Sequence, residues 1–362
     1  MIQKRKWKSL LLAGVMTATM CLGMTAMAAD VPTVGTGGSE GADAAASVTK
    51  VLEMAEGISI PGATFQFEIT KVTADAPQAE IDDIVYTGTE DKGELTEGKY
   101  QISKDSVIEF GTFPHAGEYV YRVKETADTY TLSEEEGMVY STEEYELHVY
   151  VVNGEEGVYV DSITAKDSEG EKTDAISFVN TYTKRGGSDD DAQSLIISKE
   201  TVGRYADKTK DFHFTLTFTK AATATDLSYT GKIGEEEIVC EIGTAKEFTL
   251  HDGETLVFDN LPAGTRYVIN EIGTHGYTPS AIVTENGEAA EINGQKGQSL
   301  ASSSTTNLVG EKANSAAYTN TYDDGDTPVT GIITNILPFV LLIAAAVAVF
   351  AVWNVLSRKK MR

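Results

Sequence analysis

The sequence predicts an all-β protein made of two tandem β-sandwich domains. Between residues 50 and 325, apolar and polar residues alternate in short runs bounded by Gly, Pro, Asn and Asp, as in ATFQFEITK and YELHVYVVN. Alternation with a period of two is typical of strands that bury one face. No long amphipathic helix is predicted in this region, and its second half repeats the first in order. Repetition at this period indicates duplicated domains, so we expect one sandwich fold twice.

Five segments of the first half have a counterpart in the second half, with their order kept. The pairs are SVTKVL with IISKET, ATFQFEITK with FHFTLTFTK, DIVYTG with DLSYTG, FGTFPHAGEYVYRVKETADTYT with FDNLPAGTRYVINEIGTHGYT, and SFVNTY with AYTNTY. The repeat places domain 1 at residues 48–183 and domain 2 at 195–323. KRGGSDDDAQS (184–194) is the expected linker. The Gly/Ala/Ser-rich residues 29–47 read as a flexible leader.

The first 28 residues are typical of a secretory signal peptide. Four basic residues precede an apolar run, which ends in Ala26-Met27-Ala28. Cleavage is expected after Ala28. A lipoprotein signal using Cys21 is the weaker alternative, because Met20 stands where a small residue is needed.

The last residues, 324–362, combine three signals in a fixed order. The sequence TPVTG is followed by the uncharged span Ile336–Trp353 and then by RKKMR. The span alone predicts a plain membrane anchor with a positive cytoplasmic flank. The three parts together resemble the LPxTG-type sorting signals that sortases cut in Gram-positive bacteria, with Thr327 in the place of Leu. The resemblance implies cleavage between Thr330 and Gly331.

The charge of the chain excludes one class of function. It has 55 acidic and 29 basic residues, a net charge of −26, and eight of the basic residues lie in the two end segments. Nucleic-acid binding needs a basic footprint, so no nucleic-acid partner is expected. Such an acidic chain suits a solvated surface protein.

Enzyme, metal and cofactor signals are weak in this sequence. It has no P-loop, no Gly-x-Ser-x-Gly and no paired His, so we expect no enzyme beyond self-modification and no cofactor. Only Cys240 remains after signal-peptide removal, which rules out an internal disulfide. A strand Cys is usually a small buried hydrophobe rather than a nucleophile. The acidic runs Asp189–Asp191 and Glu235–Glu237 lack the spacing of calcium ligands, so no metal site is predicted.

Three polar residue types stand on otherwise apolar strand faces in each domain. They are Lys50, Glu125 and Asn180 in the first domain, and Lys199, Glu271 and Asn320 in the second. Alternate residues of a strand share a face, so Asn180 lies with Phe178 and Tyr182. Ordinary surface positions are the alternative, but the same three types recur in the same order. Buried groups of this kind cost several kcal/mol each unless they are paired.

Pairing of these groups predicts a specific reaction. A lysine in an apolar pocket has a lowered pKa, and its neutral amine is a nucleophile. A buried carboxyl group has a raised pKa, so it can stay protonated and move a proton. A carboxamide that is hydrogen-bonded to this acid is polarised for attack. Loss of ammonia would leave a Lys–Asn amide bond, with proximity in place of an enzyme.

This pattern resembles the two-domain backbone pilins of Gram-positive sortase-assembled pili, of the FctA or T-antigen type. Each domain of that family is an Ig-like, CnaB-related sandwich with an autocatalytic Lys–Asn isopeptide bond and an assisting Glu. The resemblance runs from the signal peptide through both domains to the sorting signal. It implies two cross-links: Lys50 to Asn180 assisted by Glu125, and Lys199 to Asn320 assisted by Glu271.

The resemblance also implies a bond between subunits. Sortase would join Thr330 of one subunit to a lysine of the next, and family pilins use a lysine a few residues before the first Asn. Lys172 stands eight residues before Asn180, and Lys166 and Lys184 are its rivals. The other common pilin motif, which begins with Trp and ends in Tyr-Pro-Lys, is absent.

The resemblance implies sortase, identical subunits, minor pilins and, at the pilus base, cell-wall peptidoglycan as partners. The expected location is the cell surface of a Gram-positive bacterium. The alternative is a wall-anchored adhesin that uses the same internally cross-linked domains as a stalk and does not polymerise. No separate ligand-binding module is visible in the sequence, which favours a subunit of the pilus shaft over an adhesin.

Overall fold

The described part of the chain is built from strands. The computed structural model describes residues 34–35, 37–190 and 192–322. These residues form 23 strands and one turn of 3-10 helix but no α-helix, so the predicted fold class is confirmed. No helix among them is long and apolar enough to span a membrane. The predicted signal peptide (1–28) and sorting signal (324–362), including Thr330 and Gly331, lie outside the described residues.

Domain 1 is a sandwich of two sheets. Its strands are β1 Ser47–Ala55, β2 Ala63–Lys71, β3 Ala79–Ile81, β4 Ile84–Tyr86, β5 Lys99–Phe110, β6 Gly117–Thr126, β7 Glu136–Val139, β8 Glu144–Asn153, β9 Val158–Lys166, β10 Lys172–Thr173 and β11 Ser177–Lys184. The sheets have the orders β3-β5-β1-β11-β7 and β10-β9-β8-β6-β2-β4. The first and last strands, β1 and β11, are parallel neighbours. The chain therefore enters the domain at one end of this sheet and leaves it at the other.

Domain 2 repeats this arrangement. The 3-10 turn Ser188–Asp190 precedes its strands, which are β12 Leu195–Val202, β13 Phe212–Thr219, β14 Ser228–Ile233, β15 Glu236–Glu241, β16 Lys246–Leu250, β17 Thr255–Phe258, β18 Arg266–Glu271, β19 Tyr277–Glu285, β20 Glu288–Asn293, β21 Leu300–Ala301, β22 Asn307–Leu308 and β23 Ser315–Tyr322. The sheets have the orders β15-β14-β17-β12-β23-β19-β20 and β16-β13-β18-β21, and β22 also pairs with β18. Again the first and last strands, β12 and β23, are parallel neighbours.

Each sandwich has an aromatic-rich core between its two sheets. The apolar residues whose alternation predicted the strands are the buried ones. In β13, the three Phe side chains and Leu216 point inward while His213 is exposed. Aromatic side chains bury large areas and prefer edge-to-face contacts, as between Phe214 and Tyr318 at 5.3 Å between ring centroids. These rings form the apolar surroundings of the candidate site.

The predicted linker lies against domain 2. The amide of Gly186 donates to Leu261 O at 2.8 Å, and the amide of Gly187 donates to Gly310 O at 3.0 Å. Glu311 of domain 2 is buried, and its carboxylate accepts the amide of Ser59 at 3.0 Å and the ammonium of Lys184 at 3.2 Å. Backbone and charge-assisted hydrogen bonds therefore join the two domains.

The described part of the leader is hydrogen-bonded to domain 1, whereas a flexible segment was expected. The amide of Gly38 donates to Asp161 O of β9 at 2.8 Å, and Gly35 O accepts the amide of Ile163 at 2.9 Å. A Cβ atom on Gly38 would lie 1.9 Å from Val160 O. The glycines that predicted flexibility thus permit close contact with β9.

Candidate functional site: two buried Lys–Glu–Asn clusters

The parallel pair of strands brings the Lys and the Asn of each domain together. In domain 1, Lys50 of β1 is opposite Phe178 of β11, so Asn180 is the next inward-facing residue along β11. In domain 2, Lys199 of β12 is opposite Tyr318 of β23, which precedes Asn320 by the same two positions. The two residues share the inner face of one sheet in both domains.

The Glu of each cluster comes from the facing sheet. Glu125 lies on β6, opposite Phe67 of β2, and Glu271 lies on β18, opposite Phe214 of β13. Because the sheets pack face to face, each carboxyl group reaches across the core to the Lys and Asn. All six sequence-predicted residues are thus assembled into two clusters.

The domain 1 cluster is closed to solvent. Lys50 and Asn180 are 0% exposed and Glu125 is 7% exposed. Lys50 Nζ lies 3.0 Å from Glu125 Oε2 and donates to Phe178 O at 3.1 Å. Asn180 Nδ2 donates to Glu125 Oε1 at 2.7 Å. The carboxyl group therefore bridges the amine and the carboxamide, with one oxygen for each.

Burial shifts both ionisable groups of domain 1 toward their neutral forms. Removal from water lowers the pKa of Lys50 to about 8, although the attraction to Glu125 opposes this. Burial likewise raises the pKa of Glu125 against the opposing effect of Lys50. The ring of Phe65 lies 4.6 Å from Lys50 Nζ and keeps that side of the amine apolar. A neutral amine beside a protonated acid is the state that the proposed chemistry needs.

The domain 2 cluster has the same members with a different contact pattern. Lys199 Nζ lies 3.2 Å from Glu271 Oε1, and Asn320 Nδ2 donates to that same oxygen at 2.8 Å. The ring of Phe212 lies 4.2 Å from the amine. Burial lowers the pKa of Lys199 and raises the pKa of Glu271.

The carbonyl oxygen of the Asn distinguishes the two clusters. Asn180 Oδ1 accepts a hydrogen bond from the backbone amide of Ser141 at 2.8 Å. Asn320 Oδ1 is buried and has no hydrogen-bond partner among the described residues. Sequence reasoning did not identify Ser141, because a backbone N–H has no side-chain signature.

The three lysines considered for the bond between subunits have different surroundings. Lys172 on β10 is exposed, and its side chain makes no hydrogen bond or ion pair within the described part of the chain. Lys166 is opposite it on β9 and is half-buried. Lys184 is held by Asp189 and Glu311.

Cys240 and the acidic runs form no further site in the described residues. Cys240 is buried, and burial raises the pKa of its thiol to about 11. A thiol with a raised pKa has little thiolate and is a poor nucleophile. No group of three or more metal-ligating side chains occurs in residues 34–35, 37–190 and 192–322.

Comparison with known proteins relates the chain to pilins. Residues 46–183 match the family FctA, described as a Spy0128-like isopeptide containing domain, and residues 193–322 match a domain of unknown function (DUF7601). A pilin of Streptococcus pyogenes is 28% identical over 325 residues, which cover 83% of this chain and 87% of that protein. The pilus tip adhesin Cpa of Streptococcus pyogenes is 38% identical over 86 residues, 24% of this chain and 12% of that protein.

Solved pilin structures are also similar. A crystal structure of the major pilin from Streptococcus pyogenes is 24% identical, with a TM-score of 0.34, and the match covers 76% of this chain and 97% of that one. Another major pilin protein from Streptococcus pyogenes is 23% identical, with a TM-score of 0.35 and coverage of 81% and 100%.

The predicted resemblance is confirmed as a similarity to pilins. Residues 46–183 match a Spy0128-like isopeptide containing domain, and the chain is similar over most of its length to a pilin of Streptococcus pyogenes.

Proposed function

We propose that the chain is the structural subunit of a covalently polymerised cell-surface pilus, stapled internally by Lys50–Asn180 and Lys199–Asn320 isopeptide bonds. The observation that carries this proposal is the recurrence of one buried Lys–Glu–Asn cluster in both domains, at the same strand register. An unreacted buried ion pair adds little stability, which argues for a chemical role.

The reaction begins with attack by the neutral amine. Lys50 Nζ forms a bond to Asn180 Cγ, and the carbonyl electrons move to Oδ1. One proton leaves Nζ for Glu125 Oε2, while Glu125 Oε1 gives its proton to Asn180 Nδ2. The electron pair on Oδ1 then re-forms the carbonyl as the bond between Cγ and Nδ2 breaks, and ammonia leaves. Glu125 ends as it began, with one proton, and the contacts at 3.0 and 2.7 Å supply both proton paths.

Polymerisation requires a second amide bond, between subunits. A sortase would cut after Thr330, hold the chain as a thioester and release it to a lysine of the next subunit. Exposure of Lys172 supports it as the acceptor, whereas the ammonium of Lys184 is engaged by two carboxylates. Minor pilins and peptidoglycan at the pilus base are the other expected partners, and the surface of a Gram-positive bacterium is the expected location.

Lys172→Ala is expected to abolish polymer formation, because it removes the accepting amine. The measurement is a denaturing gel of cell-wall extracts from a Gram-positive strain that carries a pilus sortase, together with peptide mass spectrometry of the Thr330 junction. Lys166→Ala and Lys184→Ala are the matched controls and should retain the high-mass ladder.

Two outcomes would contradict this assignment. If the Lys172→Ala strain still forms a ladder in which Thr330 is joined to another lysine, that lysine and not Lys172 is the acceptor. A wild-type chain that reaches the wall but forms no ladder would instead favour the non-polymerising adhesin.

A further inference from the structure

The two clusters differ at the atom where charge develops during the proposed reaction. Attack on the Asn carbonyl moves negative charge onto Oδ1. Backbone N–H groups aimed at such an oxygen stabilise the transition state in a water-excluded site. Domain 1 has such a donor, the amide of Ser141 at 2.8 Å from Asn180 Oδ1, and domain 2 has none among the described residues.

The donor arises from the point at which one strand ends. In domain 1, β7 pairs with β11 only up to Val139, which is opposite Thr181. The chain then leaves the ladder, so the amide of Ser141 is available to the side chain of Asn180. A longer strand would have used this amide for pairing.

The corresponding strand of domain 2 does not leave the ladder. There β19 pairs with β23 from Tyr277 to Thr284, and its register places Pro279 opposite Asn320. Proline has no N–H to donate. The next residue, Ser280, remains paired with Thr319. Within the described part of the chain, Asn320 Oδ1 is therefore left without a donor.

We propose that the backbone amide of Ser141 is an oxyanion donor for the Lys50–Asn180 reaction, so that domain 1 closes its staple before domain 2. This inference rests on the proposed isopeptide chemistry. The amide contacts the reacting carbonyl itself, and no atom is added to the balanced reaction above.

The carboxyl contacts also favour earlier closure of domain 1. Glu125 accepts hydrogen bonds from Lys50 Nζ and Asn180 Nδ2 with separate oxygens. In domain 2, Glu271 Oε1 lies near both Nζ and Nδ2, whereas Glu271 Oε2 and Lys199 Nζ have no hydrogen-bond partner among the described residues.

The test compares both staples within single molecules. Residues 29–330 are produced by a brief pulse of cell-free synthesis and quenched in acid at intervals, and the two cross-linked peptides are quantified by mass spectrometry. In the wild type, the Lys50–Asn180 peptide should appear first. Ser141→Pro, which removes the N–H, should slow it about 100-fold, the typical effect of losing one oxyanion donor.

Domain 2 and a second substitution provide the controls. The Lys199–Asn320 peptide should form at the wild-type rate in every variant. Its rate is therefore an internal control for synthesis and quenching. Thr142→Ala, at the exposed neighbouring position, keeps the Ser141 N–H and should close domain 1 at the wild-type rate. Closure of Ser141→Pro as fast as Thr142→Ala would overturn the proposal.

A backbone ester covers the case in which Ser141→Pro prevents folding of domain 1. An α-hydroxy acid at position 141 replaces the N–H with oxygen, and the same replacement at Thr142 is its control. Slow closure only with the ester at 141 supports the donor role, while equal rates for both esters contradict it. Absence of both cross-links from the wild type would instead refute the isopeptide chemistry itself.

Discussion

Asn180→Ala is expected to lower the free energy of unfolding of domain 1 by about 5 kcal/mol. The proposed bond closes a loop from Lys50 to Asn180, almost the whole domain, and a cross-link over about 100 residues contributes roughly 4.7 kcal/mol by restricting the unfolded chain. The variant also leaves the Lys50–Glu125 pair, which is buried, without its third partner. Both effects act in the same direction.

Denaturant unfolding of residues 29–330 measures this loss. Glu125→Gln keeps the shape of the side chain but cannot move the proton, so it should show a similar loss if the bond itself is responsible. Asn153→Ala, at an exposed position in β8, is the matched control and should change the free energy of unfolding by less than about 0.5 kcal/mol. A loss in Asn180→Ala no greater than in this control would contradict the staple.

Asn320→Ala is expected to make single filaments extensible, whereas Asn180→Ala should not. If Lys172 accepts the next subunit, tension enters there, follows β11 to Lys184 and crosses the linker into β12. It then passes through the Lys199–Asn320 bond and leaves beyond β23. The Lys50–Asn180 bond lies off this path, because the loaded chain runs along β11 without crossing the rest of domain 1.

The extension per subunit follows from the length of chain that the Lys199–Asn320 bond keeps from being pulled out. Without it, the residues between Lys199 and Asn320 can be drawn out, and at about 3.4 Å per residue they would add roughly 400 Å per subunit. Force spectroscopy of single filaments should show steps of this size in Asn320→Ala and none in Asn180→Ala. Equal extension in both variants, or steps only in Asn180→Ala, would contradict this load path.

The repeat made much of the fold and the site predictable. Alternation predicted strands such as β13, and the doubled order of Lys, Glu and Asn singled out six residues that the fold buries in two clusters. A lone buried polar residue carries little information. Three types in the same order in two halves of one chain indicate that the fold brings them together.

Features that depend on backbone contacts were not predictable. The Ser141 amide became a donor because β7 ends at Val139, and strand ends are poorly defined by alternation. The leader was expected to be flexible from its composition, but Gly38 is needed where the chain passes close to β9. The contacts of Glu311 with Ser59 and Lys184 join residues far apart in sequence, for which no local pattern exists.

The most direct test of the account is the intact mass of recombinant residues 29–330, measured beside Glu125→Ala and Glu271→Ala. Each staple releases one ammonia, so the wild type should be lighter than its sequence by two ammonias and each variant by one. This result would establish two self-formed bonds and assign an assisting acid to each. A wild-type mass equal to that of the sequence would mean that the clusters do not react, and it would contradict the central claim.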